Sequence, residues 1–384
     1  MQERKKRRIV IASVLKPVDD TRMFEKIGKS LGETARFDIH IFGYPSGKIP
    51  QTSDSDITQH ASQPFGRLNI KRLTQPLKIL KKILRLKPEL LIITTHELLF
   101  IAFFIKLLTK CCLLYDVQEN YYRNILYTNA YPSMVRPLLA VYVRIKEIIF
   151  SSWIDYFIVA ETGYTYEITF LKNKSIIIEN KMKRPSGILP KKNTADQNIH
   201  LLFSGTLAET TGIFSAIALA KSLYIAEPRI RLTIIGYSPQ ARIFNQIKKE
   251  IAGADFIHLI GGDTLVQHSE ILKAIQQSDF GIIAYPPNKS TENCIPTKLY
   301  EYLGCKLPIL MVNHPLWVKR CHLYPACIPI DFNTLDVSSI LLQMSSTKFY
   351  ITAPEDVFWE EEAEKLVNLV DHILLIRNDK KNVF

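Results

Sequence analysis

The chain has 384 residues, 47% hydrophobic and 22% charged, which exceeds one simple core and predicts two domains while excluding disorder on a large scale. Its net charge of +12, from 49 basic and 37 acidic residues, favours an anionic partner: nucleic acid, an anionic membrane surface or phosphorylated small molecules. The six cysteines form no CxxC pair and read as reduced core residues; the spacing of His314, Cys321, His322 and Cys327 fits no standard zinc pattern, so no metal site is expected.

The first segment, "MQERKKRRIVIASVL", reads as a basic tail leading into a buried strand, since its apolar run is short and lacks a cleavage pattern. A helix follows over "TRMFEKIGKSLGETA", with Phe24, Ile27 and Leu31 on one face. Next come a strand at "DIHIFGY", a basic helix, a strand at "ELLIITT", an apolar helix and a strand at "CCLLYDV". A helical region over 133–150 precedes the strand "WIDYFIVA" and then "SIIIEN". The stretch "ELLFIAFFIKLLTKCCLLY" is broken by Lys106 and Lys110 and falls short of the roughly twenty apolar residues of a spanning helix. Strands alternating with helices predict a parallel sheet covered on both faces.

"KMKRPSGILPKKNTADQN", over 181–198, has no apolar periodicity and reads as the interdomain linker. The alternation restarts with "HLLFSGTL", "IRLTIIGYS", "FIHLIGG", "DFGIIAYPP" and "LPILMVN", each separated by a helical stretch. The fold class is therefore α/β, with two Rossmann-like doubly wound domains facing a cleft. The expected boundaries are 1–185, 186–354, a terminal helix over 355–377 crossing back to the first domain, and a tail over 378–384.

Ligands of open α/β sheets bind beyond the carboxyl ends of the strands, so the segments after strands hold the candidates. Asp20 and Arg22 follow the first strand, as an N-cap with a solvated arginine or as an anion or acceptor contact. His96 follows "ELLIITT". Asp116 and Glu119 lie in "YDVQENYYRN", which is a capped loop or a site where one of them serves as general base toward an acceptor hydroxyl. Gly205 and Thr206 in "FSGTLAETTG" belong to neither a GxGxxG nor a Walker loop, yet can bring backbone amides to a phosphate.

The richest stretch is "STENCIPTKLYEYLGCKLPIL". Pro296 suits the first helical position, leaving the amides of Thr297 and Lys298 to meet a diphosphate along with the lysine charge. Glu301, one turn on, suits a pair of ribose hydroxyls; alternatively Lys298 and Glu301 are a surface i,i+3 ion pair. The segment "RLTQPLKILKKILRLKP" is a basic amphipathic helix, docked in a core or lying on an anionic membrane through residues 67–87.

In their order, "SGTL", "HSEILKAIQQSDFGIIAY" and "IPTKLYEYLGCKLPIL" resemble the donor domain of GT-B fold glycosyltransferases of the family 4 (group 1) type. "DDTRMFEKIGKSL", "TTHELL" and "YDVQEN" resemble the acceptor domain, and "FWEEEAEKLVNLVDHILL" the terminal helix, so the resemblance spans roughly residues 8 to 377. It implies a nucleotide sugar bound by the second domain, with Glu301 at the ribose and Thr297 and Lys298 at the diphosphate. A glycan or lipid-linked acceptor would be held by the first domain, the transfer would retain configuration without a metal or other cofactor, and the setting would be cytoplasmic or peripheral to the inner membrane face, in surface polysaccharide synthesis. The family's first carboxylate of a seven-residue pair falls on Asn293, with Glu292 its neighbour, and its loop histidine falls on Gln118. A sugar-nucleotide epimerase or an inactive binding subunit on the same fold are the alternatives; no nucleic-acid module is present.

Overall fold

The computed structural model describes residues 6–45, 57–62, 71–129, 131–185 and 196–382, without the side chains of 71–76 and 378–382. Within these residues the chain separates into two compact units. The first comprises residues up to Asn180 together with Lys289–Cys294 and Trp359 onward; the second comprises Lys181–Asn288 and Ile295–Phe358. Part of the expected linker, 186–195, lies outside the described residues.

The first unit begins with β1 (Arg7–Pro17), whose run Ile9–Ala12 is buried on both faces as a central parallel strand requires. A π-helical turn over Thr21–Gly28 passes into α1 (Lys29–Gly32). Then come β2 (Phe37–Tyr44), β3 (Ile57–Ala61), α2 (Lys71–Leu86), β4 (Leu90–Ile93) and α3 (Leu99–Thr109). β5 (Cys112–Val117), α4 (Tyr121–Tyr127), α5 (Arg136–Ser151), β6 (Tyr156–Val159), α6 (Tyr164–Glu167) and β7 (Ser175–Ile177) follow. All the strands pair in parallel, in the order β3-β2-β1-β4-β5-β6-β7. β3 has no counterpart in the sequence reading: "ITQHA" is a polar edge strand, bonded on one side only to β2, so it lacks the apolar run that marks a buried strand.

The second unit contains β8 (Ile199–Thr206), α7 (Ile213–Ala226), β9 (Ile230–Tyr237), α8 (Ala241–Ile251), β10 (Ile257–Gly262) and α9 (His268–Gln277). It continues through β11 (Phe280–Ile283), α10 (Thr297–Gly304), β12 (Ile309–Val312), α11 (Pro315–His322), β13 (Cys327–Ile330) and α12 (Val337–Ser346). Its sheet is also parallel, in the order β10-β9-β8-β11-β12-β13. In each sheet the chain direction of winding reverses beside the first strand, between β1 and β4 and between β8 and β11. The ends of those strands are where a doubly wound sheet leaves room for a ligand.

The last helix, α13 (Trp359–Asn382), packs Leu366, Val370 and Ile373 against Ile27 and Leu31 of the first unit. Trp359 Nε1 donates to Ser30 Oγ at 2.8 Å, and Glu362 accepts from the Glu179 amide at 2.9 Å. Among the described residues no helix is long and apolar enough to cross a membrane. All six cysteines are free thiols.

Glu147 is a buried acid in the core of the first unit, away from any strand end. Glu147 on α5 accepts from Tyr115 Oη at 3.0 Å and lies 3.3 Å from Arg144. Burial outweighs that cation and pushes the Glu147 carboxyl up to about 7. Between about pH 4.5 and 7 the folded chain therefore holds a proton that the unfolded chain releases, and stability falls as pH rises through that window. Glu147→Gln is expected to stabilise the protein by on the order of 2 kcal/mol at pH 8 and by almost nothing at pH 4.5. Urea unfolding at the two pH values checks this; an equal effect at both would show that the carboxyl is ionised in the fold at every pH tested.

Candidate functional site

The carboxyl ends of three neighbouring strands in the second unit carry glycines in register: Gly205 of β8 opposite Gly236 of β9, and Gly236 opposite Gly261 of β10. A Cβ on Gly236 would stand 1.7 Å from the Gly205 carbonyl oxygen, and one on Gly261 would stand 2.5 Å from the Gly236 oxygen. Side chains are thus excluded, and bare backbone lines the end of the sheet. The sequence reading found Gly205 and the exposed Thr206 but passed over Gly236 and Gly261. The signal was present, since "FSG", "IIG" and "LIG" each end an apolar strand with glycine.

α10 starts beside this row. Pro296 is the N-cap and not the first helical residue, its carbonyl accepting the Leu299 amide at 2.8 Å. Thr297, half-buried, opens the helix. Lys298 is no exposed point charge: it is 7% exposed and its ammonium donates to the Ser204 carbonyl at 2.6 Å. Nζ also stands 4.5 Å from the Phe203 ring centre and 5.1 Å from that of Tyr285. The side chain runs along Gly205, where an added Cβ would meet its Cε at 3.7 Å and Nζ at 3.8 Å. Burial lowers the lysine to about 8, with Glu301 opposing the drop.

The surface ion pair is overturned, because Glu301 bonds elsewhere. Its Oε1 meets Nε2 of His268, the first residue of α9, at 2.8 Å. His268 was missed because a lone histidine opening a helix has no partner visible in sequence. Tyr302 steadies the strand end from behind, its hydroxyl 2.9 Å from Ser204 Oγ.

In the first unit, Asp20 caps the π-helical turn, accepting the amides of Arg22 and Met23 at 3.1 and 3.0 Å. Arg22 is buried and not solvated. Its Nε and Nη2 hold Asp116 at 3.0 and 2.8 Å, and Nη2 also donates to the Ile178 carbonyl at 2.9 Å. Asp116 is fully buried and further takes Gln118 Nε2 at 2.6 Å. Asp116, one of the two candidates for the general base, is one half of a bidentate ion pair, with its oxygens turned away from solvent. Glu119 in the same loop is exposed and accepts a side-chain amide, from Asn124 at 2.9 Å. His96, after β4, is buried against Tyr121, with Nδ1 2.8 Å from Lys146 Nζ and Nε2 3.4 Å from Glu97.

Glu292 and Asn293 lie in the segment counted with the first unit. Asn293 Nδ2 donates to Glu167 Oε1 at 2.8 Å, and Arg123 bridges Glu167 at 2.5 Å and Glu292 at 3.2 Å. Asn120 completes the cluster, donating to Glu167 at 2.7 Å and accepting from Arg144 at 2.6 Å. Gly163 allows the approach, since a Cβ there would stand 2.4 Å from Asn293. The roles of Glu167 and Gly163 were not legible in sequence, because Asn293, which both meet, is over a hundred residues away and Arg123 and Asn120 are more than forty from Glu167. Among the described residues no three His, Cys, Asp or Glu side chains gather closely enough to hold a metal ion.

No family model and no curated protein matches the chain. Solved structures do. A sucrose-phosphate synthase from Thermosynechococcus elongatus superimposes with a TM-score of 0.72 at 13% identity, covering 97% of this chain and 100% of that one. Anabaena HepE in complex with UDP-glucose gives 0.66 at 12%, covering 95% and 99%. A putative UDP-N-acetylglucosamine 2-epimerase from Listeria monocytogenes gives 0.59 at 10%, covering 95% and 96%. At such identities the likeness is one of fold: two Rossmann-like parallel α/β units, the GT-B fold.

Lys298 gives this site a thermodynamic signature. Its charge is carried at a desolvation cost below about pH 8, and that cost shrinks as pH rises toward 10.5, where the unfolded lysine also loses its proton. Lys298→Met is therefore expected to raise the melting temperature of the unliganded protein by roughly 2–4 °C at pH 7, and by less at pH 10. Differential scanning calorimetry at both pH values would show the reverse, a loss at pH 7, if the lysine were chiefly a structural anchor.

Proposed function

We propose that the chain is a glycosyltransferase that moves a sugar from a nucleoside-diphosphate sugar to a glycan or lipid-linked acceptor. The observation that carries this reading is the Lys298 ammonium held behind Gly205 at the end of β8, with Glu301 one helical turn away. Phosphate oxygens laid over side-chain-free backbone meet the first turn of α10 and a cation whose own hydration has already been removed. A carboxylate accepts two hydroxyls of a ribose at once, and His268 fixes the orientation of Glu301. The UDP-glucose in the Anabaena HepE structure supports the same ligand class.

In the reaction the bond from C1 of the sugar to the diphosphate oxygen breaks and the acceptor oxygen bonds to C1. The acceptor's proton passes to Glu119, the exposed carboxylate after β5, in place of the buried Asp116. Charge growing on the leaving diphosphate is met by Lys298 and the helix start, so that no metal is required for its neutralisation. We assign Asn293 and Glu292 to contacts with sugar hydroxyls, since an amide has no basicity to offer and Glu292 is paired with Arg123. Asp20 and Arg22 shape the acceptor side of the first unit, and His96 supports it from the end of β4. The acceptor oxygen attacks from the face of C1 that the diphosphate leaves, so the outcome is retention at C1, and the setting is surface polysaccharide synthesis at the cytoplasmic face of a membrane.

Thermal stabilisation by a panel of nucleoside diphosphates and their glucose, galactose and N-acetylglucosamine conjugates tests the reading. At least one is expected to stabilise the chain, and Glu301→Gln and Lys298→Met each to weaken it about tenfold or more, equivalent to about 1.4 kcal/mol. Because the anion prefers the protonated lysine, affinity should be greatest below about pH 8 and decline above it. Stabilisation by none of the panel would sink the proposal. Given binding, Glu119→Gln should lower turnover about a hundredfold while leaving donor affinity in place.

A further inference from the structure

A surface helix ordinarily turns its apolar stripe inward and its charges out, and α5 does the opposite. Leu138, Val141, Tyr142, Ile145, Ile148 and Ile149 recur at helical spacing and are all exposed, Leu138 by 76% and Ile145 by 51%. Trp153 extends the row and is 45% exposed. The inward positions are Ala140, Val143 and Glu147. On α3, Phe100, Phe104, Leu107 and Leu108 form a second exposed row. The two rows join through Phe103, whose ring meets that of Trp153 edge-on at 4.6 Å, and through Lys106, which donates to the Trp153 carbonyl at 2.7 Å.

α2 packs along α3. Its own apolar side chains Ile79 and Ile83 are consumed in the core, so it presents charge: Lys78, Lys81, Lys82 and Arg85 are exposed. The sequences of α2, α3 and α5 together contain a single acid, Glu147, and it is buried. The face thus combines a broad apolar ridge, interfacial aromatics and a cationic border on α2. A contiguous exposed apolar surface of this kind marks an interaction site.

We propose that the α3–α5 ridge of the first unit docks on an anionic phospholipid bilayer, with Trp153 and Tyr142 among the headgroups and the cations of α2 over the acidic lipids. The arrangement is that of a surface-lying amphipathic anchor, which adds apolar insertion to electrostatic attraction. Charge argues against a second copy of the chain, because a two-fold contact through this face would bring together two copies of α2, whose sequence holds no acid and whose Lys78, Lys81, Lys82 and Arg85 are exposed. The sequence reading placed the membrane contact on residues 67–87. The structure leaves α2 the electrostatic share and moves the apolar share to α3 and α5; residues 67–70 lie outside the described residues. The proposal goes beyond glycosyl transfer and stands or falls separately from it.

The chain carries its own reporter. Of its three tryptophans, Trp317 and Trp359 are buried at 2% and 1% exposure, leaving Trp153 for the lipid. The full chain is mixed with vesicles of phosphatidylcholine containing about 30% phosphatidylglycerol in about 0.1 M salt. It is expected to float with these vesicles, at least about fivefold more than with pure phosphatidylcholine or in about 0.5 M salt. Trp153 emission should shift to the blue and be quenched by brominated acyl chains. The exposed double substitution Ile145→Glu with Ile149→Glu should cut flotation about tenfold at an unchanged melting temperature, with nucleotide stabilisation intact. Failure to float on the anionic vesicles, or flotation without quenching of Trp153, overturns the proposal. So does a dimer in sedimentation that the same double substitution dissociates while vesicles remain unbound.

Discussion

The hydrogen bond from Lys298 to the Ser204 carbonyl ties the first turn of α10 to the end of β8, and the second unit's candidate site follows from it. It fixes where the helix begins relative to the glycine row, and thereby which way Glu301 projects toward His268. An ammonium removed from water is expensive, which its depressed pKa expresses. Stability alone does not account for a lysine here, because an apolar side chain of similar volume would fill the same space at less cost. In the proposed function the ammonium is a cation prepared for an anion that arrives later.

The first unit solves a different problem with a different pair. Arg22 and Asp116 come from the segments after β1 and β5, and their bidentate contact, with Ile178 as a third partner, braces the carboxyl end of that sheet. A pair so completely buried is costly to break, since either partner left alone would be an uncompensated charge. Both Asp116 oxygens are held by Arg22, whereas Glu119, three residues on, is exposed. The cluster of Arg123, Glu167, Asn120 and Asn293 likewise converts residues distant in sequence into one hydrogen-bonded unit.

The apolar faces show the same division between local pattern and tertiary context. α2 has the periodicity of a helix that buries one side, and α5 carries an apolar stripe at helical spacing. In α2 that side meets the core, whereas in α5 the larger apolar side meets solvent and a buried glutamate faces in. Periodicity reports that a stripe exists, and only packing reports which way it points.

The sequence by itself determined the alternation of buried strands and helices, hence two parallel sheets, because strands covered on both faces must be continuously apolar and helices must repeat near 3.6 residues. It also put Gly205 near the end of a strand and Lys298 and Glu301 in the helix that follows another, since these are local positions at a strand end or a helix start. Tertiary structure decided what those residues touch. The glycine register, the burial of Lys298, the pairing of Glu301 with His268 and of Arg22 with Asp116, and the outward face of α5 all depend on residues that meet across some tens of positions or on how an element packs. The polar edge strand β3 was likewise decided by its pairing with β2, because a strand exposed along one side needs no apolar run to declare it.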